Sequence, residues 1–414
     1  MDSIQEQYNR RLTRVMKAVR LETPDRVPLI PQPQAFPVYY SGLTMQECME
    51  DYRKVGPALD KFYRDFPQAD LAWSPILIYA ADVMRTPGLN WLKWPGNGID
   101  NPLEMYQFIE GEYMETHEYD EFIEDPTHFI QSKWLPRSFS GLKGLSRLNL
   151  KNSLWLNWMG SFTAFADPEV LETLETLHRS ALELLKWFRY LDEYENRLKT
   201  ELGFPPAAGA FGFAPFDQLG DTMRGTVNIL TDLMDRPEKV LAAIEKIIPM
   251  AIQGPVEACK AKGGQFVWLW LHKGIDQFMS LEQFKTFYWP GLKALIDGLV
   301  AADLTPVVYC EGSYNEQRME ILRDVEKGKV IYDFEEADMF RAKEILGDRA
   351  CIAGNVPNAL LAFGNPGEVD GYCRKLIEGI GRDGGFMLDA GALIDNAKTE
   401  NMQAFFRSVE KYGR

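Results

Sequence analysis

Histidine is scarce in this chain, with 4 in 414 residues. No HxxxH or HExxH pair is present, which removes the usual zinc-hydrolase motif, and His117, His128 and His178 sit in acidic or helical contexts that read as structural. Cysteine is scarce as well. The five residues Cys48, Cys259, Cys310, Cys351 and Cys373 are odd in number and lack framework spacing, so a disulfide scaffold is excluded and reduced thiols are expected. No run of about 18 apolar residues escapes a charge, and the opening Met1-Asp2-Ser3-Ile4-Gln5-Glu6 has neither a basic nor an apolar leader segment. A soluble, cytoplasmic protein is expected.

Positive charge is also short. Lys plus Arg total 45 against 60 Asp plus Glu, a net charge of −15, and such a field repels nucleic acid and anionic membrane surfaces. A substrate rich in carboxylates would need a local arginine cluster. GxxxxGK[ST] and GxSxG are missing, which takes away the common nucleotide-binding and hydrolase signatures. Gly379-Ile380-Gly381-Arg382-Asp383-Gly384 matches GxGxxG, but it follows a helical pattern and precedes a strand, the reverse of the dinucleotide fingerprint. It reads as a helix stop.

What the chain does have is a 46% hydrophobic, 25% charged composition that can bury a large core. Ser3–Val19 reads as a helix, then Pro24 and Pro28 lead into an extended Val27–Ile30. From about residue 40 to 160 the pattern is irregular, with helices expected near Thr44–Phe66 and Glu104–Glu112. Beyond Asp167 it sharpens. Helices over Pro168–Leu202, Arg236–Lys262, Leu281–Ala302, Asn315–Val325, Ala337–Leu346, Pro366–Ile380 and Asn396–Tyr412 alternate with strands. The strands read as Ala207–Phe213, Gln265–Leu271, Pro306–Cys310, Lys329–Tyr332, Ala350–Ala353 and Gly385–Leu388. Parallel strands need crossover helices, so this alternation predicts an α/β fold, a (β/α)8 TIM barrel with an N-terminal helical extension. No linker composition marks a boundary, so residues 1–414 are expected to form one domain.

In such a barrel the chemistry sits at the C-terminal strand ends. Those ends supply His272, Asp276, Tyr309, Cys310, Glu311, Asn355 and Asp389. His272, Cys310 and Cys351 lie on or beside successive strands, and one imidazole with two thiolates can hold Zn2+ with an open fourth position. Glu282 competes with His272 for the third ligand place. Glu311 and Asp389 are candidates for proton delivery, with Tyr309, Asn355 and Asp276 expected to touch substrate. The sequence is also rich in aromatics, with 10 Trp. Most must be core, yet some over the barrel mouth could form a flat pocket for an aromatic ligand.

Several segments together resemble the uroporphyrinogen decarboxylase superfamily, in particular its corrinoid-dependent methyltransferase branch. They are Arg14–Arg20 with Pro24-Asp25-Arg26-Val27-Pro28; Phe216-Asp217 with Met223-Arg224-Gly225 and Pro237-Glu238-Lys239-Val240; Phe278–Phe284; Leu346-Gly347-Asp348-Arg349 with Gly354-Asn355-Val356; and Glu400-Asn401-Met402. Two departures bear on the branch. No Lys or Arg occurs between Val27 and Tyr52, where the porphyrinogen decarboxylases resemble one another in arginines that receive carboxylates. The His-x-Cys-Gly and Gly-Cys of thiol-methylating members are replaced by Tyr309-Cys310-Glu311-Gly312 and Gly391-Ala392.

The resemblance therefore implies methyl transfer from a small aromatic methyl ether to the cobalt of a corrinoid. The chain lacks the Asp-x-His-x-x-Gly loop of a cobalamin carrier, so the corrinoid is expected on a separate partner protein. Zinc held by Cys310, Cys351 and Glu282 or His272 would stabilise charge on the departing oxygen. Alternatives are a metal-free decarboxylase or lyase, another methyl donor, a thiol acceptor, and a non-catalytic corrinoid-protein binder. A homodimer is left open.

Overall fold

The computed structural model describes residues 2–151 and 153–413. Six short runs rich in β-branched, aromatic and aliphatic residues form strands β1 (Ala210–Phe213), β2 (Phe266–Leu271), β3 (Thr305–Ser313), β4 (Ile331–Glu336), β5 (Cys351–Val356) and β6 (Phe386–Ala390). They are parallel and lie side by side in chain order, with helices returning the chain between them. Two further staves bring the ring to eight. Leu29 pairs with Leu388 on β6, Ala72 pairs with Pro206 ahead of β1, and the Asp70 amide donates to the Leu29 carbonyl at 2.8 Å. The first of these staves runs through Pro28, Pro31 and Pro33, which have no amide hydrogen to give to a ladder, so only isolated bridges form there.

Residue parity divides the strands. Ile30, Trp73, Trp268, Val307, Tyr309, Ile331, Cys351, Ala353 and Met387 form one buried cluster that fills the barrel. The alternate residues Leu269, Leu271, Val308, Cys310, Tyr332, Phe334, Ile352 and Leu388 belong to the second cluster, between sheet and helices. Helix α1 (Ile4–Val19) starts at a capping box formed by Ser3 and Glu6 and plugs the N-terminal end of the barrel with Val15, Ala18 and Val19. Arg14 and Arg26 converge there on the buried Asp70, at 2.5 and 2.9 Å.

Residues 74–204 form a large insertion between the second stave and β1. It contains short helices, a three-stranded sheet of Leu92–Pro95, Gly98–Ile99 and Gln107–Phe108, and the 33-residue helix α2 (Pro168–Thr200). The helix expected over Glu104–Glu112 is not formed, because Gln107 and Phe108 pair antiparallel with Lys93 and Leu92. The helix expected over Thr44–Phe66 is two helices, Met45–Glu50 and Val55–Asp65, parted at Asp51. Ser74, just past the second stave, donates to Glu195 near the end of α2 at 3.1 Å. From Glu195 back to Pro168 the helix extends about 40 Å along its own axis at 1.5 Å per residue. Among the described residues no helix is long and apolar enough to cross a membrane.

Candidate active site

The chemistry gathers at the ends of β2 and β3, against a helix from the β1 side. Pro215–Leu219 is followed by a π-helical turn at Gly220–Arg224, and Asp217 and Asp221, four residues apart, project on one face. Asp217 is fully buried and accepts from the backbone amides of His272 and Lys273, both at 3.0 Å, and from the Tyr288 hydroxyl at 2.6 Å. Asp221 accepts from His272 Nδ1 at 2.6 Å and pairs with Lys273 Nζ at 2.7 Å. Gly220 makes this fit possible, since a Cβ there would lie 2.8 Å from Lys273 Cε.

Three neighbouring carboxylates set the charge state of the imidazole. Burial opposes a proton on His272, but the Asp221 hydrogen bond and the charges of Asp217, Asp221 and Glu311 outweigh it and push the pKa up to about 9. Burial would raise the Asp221 pKa, yet the bonds and charges of His272 and Lys273 hold it below the usual carboxylate range. Asp217 moves the other way, up to about 6, through burial and the neighbouring Asp221. At neutral pH His272 is thus an imidazolium fixed at Nδ1, with Nε2 free to act. Nε2 lies 3.7 Å from Glu311 Oε2, and burial raises the Glu311 pKa.

Below this acid the barrel wall is aromatic. Trp73, Phe211 and Trp270 stack with interplanar angles of 11 to 22°, and the Phe211–Trp270 centroids are 5.0 Å apart. Phe213 continues the wall to the imidazole, 5.7 Å from His272. Trp270 Nε1 is buried without an acceptor, so a ligand oxygen would satisfy a donor that is otherwise costly to leave unpaired.

Asp389 also faces the barrel interior, but as half of a buried carboxyl pair. Gln32 Nε2 bridges it to Asp333, at 3.1 and 2.9 Å. Burial raises both acids, Asp333 to about 8 against a hydrogen bond with Asp389 that lowers it, while Asp389 is raised further by the charge of Asp333. Neither has any solvent exposure, and among the described residues no cation pairs with them, so the pair holds a proton. Tyr309 faces inward too, its hydroxyl donating to the Gly391 carbonyl at 3.0 Å. Asn355 and Asp276 serve as clamps. Asn355 joins the Ala337 carbonyl to the Tyr372 hydroxyl, both at 3.0 Å, and Asp276 pairs with Arg318 at 2.6 Å.

The expected zinc ligands are not brought together. Cys310 has the outward parity and packs under the helices, with its Sγ 3.8 Å from the Val308 carbonyl. Cys351 points inward at the first residue of β5, near the end plugged by α1. Burial pushes both thiols up, Cys351 to about 12. Glu282 is an exposed first-turn acid that pairs with Lys285 at 2.9 Å. Only His272 and Glu311 of the predicted set meet, and among the described residues no three His, Cys, Asp or Glu side chains are placed to hold a metal. The donor set thus does not fit zinc. Asp217 and Asp221 were missed as site residues. Their i, i+4 spacing in an otherwise apolar stretch was the available signal.

Comparison with known proteins agrees with this architecture. The family model described as "Uroporphyrinogen decarboxylase (URO-D)" matches residues 162–412. Among solved structures, a methyltransferase from Methanosarcina mazei superposes with a TM-score of 0.62 at 13% identity, over 100% of this chain and 99% of that one. At that identity the likeness establishes the fold. No curated protein matches the chain.

Proposed function

The chain belongs to the uroporphyrinogen decarboxylase family, a family of enzymes, and from that premise we propose that it moves the methyl group of a small aromatic methyl ether to the cobalt of a corrinoid carried by a separate protein. The observation that carries this reading is the continuous aromatic wall ending at a charged imidazole: Trp73, Phe211, Trp270, Phe213, then His272. A substrate ring would lie against the stacked side chains, and its oxygen would reach the unpaired Trp270 N–H. The likeness to a methyltransferase fold supports the same reading.

An aryl ether gives up its methyl group poorly because a phenolate must depart. The reduced cobalt of the partner supplies the nucleophile when docked. The chain supplies the acid. As the oxygen–methyl bond breaks, His272 Nε2 gives its proton to the phenolate oxygen, and Asp221 retains the imidazole in the geometry to be reprotonated. A phenol of pKa ~10 lies slightly above the acid at about 9, so the transfer is mildly downhill. Glu311, 3.7 Å from Nε2, is placed to return the proton from solvent.

No step runs through zinc, because the ligand set does not assemble. A thiol acceptor loses support for the same reason, since neither Cys310 nor Cys351 reaches the site. Decarboxylation of an acidic substrate is also less well supported: Lys273 is already paired with Asp221, and the surrounding charge is dominated by Asp217, Asp221 and Glu311. The test is turnover. Purified protein, a reduced corrinoid protein and a methoxyphenol should release the demethylated phenol in step with the change in the corrinoid spectrum. A substrate recovered intact, with the corrinoid unchanged, would refute the proposal.

A further inference from the structure

Two hydrogen-bond acceptors inside the barrel have nothing to accept from. Gln32 and Asp333 are both fully buried. The Gln32 amide spends its two hydrogens on Asp333 and Asp389, and Asp389 also accepts from the Ala390 amide at 2.6 Å. That leaves Gln32 Oε1 and Asp333 Oδ1 without a donor among the described residues, a costly state away from water. The neighbouring donors are already committed. Tyr309 gives its one hydrogen to the Gly391 carbonyl, Trp73 to the Pro31 carbonyl at 3.1 Å and Trp268 to the Ala207 carbonyl at 2.8 Å. Trp270 has the complementary shortage, a buried N–H with no acceptor. The register places these groups in one layer. Trp270 on β2 lies opposite Tyr309 on β3, which lies opposite Asp333 on β4, and all three have the inward parity.

We propose that this layer selects the substrate: a neutral aryl methyl ether that also carries a hydroxyl group, whose hydrogen goes to Asp333 and Gln32 while the ether oxygen accepts from Trp270. The inference rests on the methyl-transfer reading of the same site and names the class of ether it takes. A ligand with one acceptor and one donor answers both shortages at once, and the ring between them lies against the Trp73, Phe211 and Trp270 stack. Adjacent strands stand about 4.8 Å apart, so Trp270 and Asp333 start about 10 Å apart at the backbone and converge on the barrel axis. A single ring bearing two oxygens fits between them. Charge sets the other limit. The inward positions at these strand ends hold Glu311, Asp333, Glu335 and Asp389, while His272 and Lys273 are both paired with Asp221. A benzoate would bring a further negative charge and set its oxygens against the Gln32 and Asp333 acceptors, and an unpaired buried charge is costly.

The experiment is calorimetric titration of the full chain near neutral pH, without a corrinoid protein, using the three methoxyphenol isomers, anisole, the dimethoxybenzenes and 4-methoxybenzoate. The best methoxyphenol is expected to bind at least about tenfold tighter than anisole, with the dimethoxybenzenes and the benzoate no tighter than anisole. Asp333→Asn reverses the polarity of the layer. Gln32 Nε2 still requires an acceptor, so the asparagine turns its oxygen toward Gln32 and its NH2 to the place of Oδ1, and the preference for methoxyphenol over dimethoxybenzene should fall at least about tenfold. A flat wild-type series overturns the proposal and assigns the two acceptors to trapped water. So does tightest binding of the benzoate, or no binding of any ligand up to about 1 mM. A folded Asp333→Asn variant that keeps the wild-type ratio also overturns it, and should that variant fail to fold, the wild-type series still decides. Binding needs no methyl transfer, so the two readings fail separately. A flat series beside active turnover sinks this inference alone, and hydroxyl-selective binding without turnover of any ether sinks the methyl-transfer reading.

Discussion

Replacing Asp221 with asparagine tests the acid directly. Asparagine keeps the shape and a hydrogen-bonding oxygen but removes the charge 2.6 Å from His272 Nδ1. The imidazole stands at about 9 against an ordinary 6.5, a difference of roughly 3 kcal/mol in its protonation equilibrium. The side chain is 37% exposed, so solvent screening discounts the part owed to any one partner. Asp221 heads the favourable contributions, and its loss should lower the His272 pKa by about 1 to 1.5 units. If protonated His272 is the acid, wild-type phenol release falls only above about pH 9. In Asp221→Asn the falling limb moves to about pH 7.5 to 8, with a rate deficit of about fivefold near pH 8.5 and almost none near pH 6. Initial rates across that range give the profile, and nuclear magnetic resonance of the imidazole nitrogens reports the pKa itself. A variant whose pKa moves while its rate profile does not would refute His272 as the acid. An unmoved imidazole pKa would refute the electrostatic account.

Other expectations follow from the same geometry. His272 is raised in the folded state, so its contribution to stability is complete below about pH 6.5 and is lost as pH rises through about 9; thermal unfolding of the wild type should decline across that window more than that of Asp221→Asn. Asp333 is raised to about 8 by burial beside Asp389, so stability from its bound proton is present below about pH 4 and drains away up to about 8. Asp333→Asn should therefore raise the melting temperature by about 2 °C or more near pH 8 and do little near pH 4; an equal shift at both would show that the pair is not sharing a proton. Cys310→Ala and Cys351→Ala should each cost about 1–2 kcal/mol in urea unfolding with turnover and metal content unchanged, and loss of bound zinc in either would contradict their placement. Gly220→Ala should push Lys273 off Asp221 and reduce turnover several-fold, with unfolding changed by no more than about 1 kcal/mol.

Much of the barrel was written locally. Alternating helices and strands after Asp167, the capping residue Ser3 and the prolines around Leu29 are short-range signals, and they fixed the order of the elements and the end of the barrel that carries the chemistry. Parity was not legible. Strands of a parallel barrel are apolar on both faces, so Val308-Tyr309-Cys310-Glu311 reads equally well in either setting, and a one-residue choice decides whether Cys310 or its neighbours Tyr309 and Glu311 face the interior. The insertion was illegible for a related reason: the Gln107–Phe108 strand exists only because Leu92 and Lys93 pair with it. The acid itself is likewise a product of tertiary structure. His272 becomes an imidazolium because a helix some fifty residues upstream carries Asp217 and Asp221 beside it, and the proximity of charges in a partly buried site is a property that no stretch of chain possesses alone.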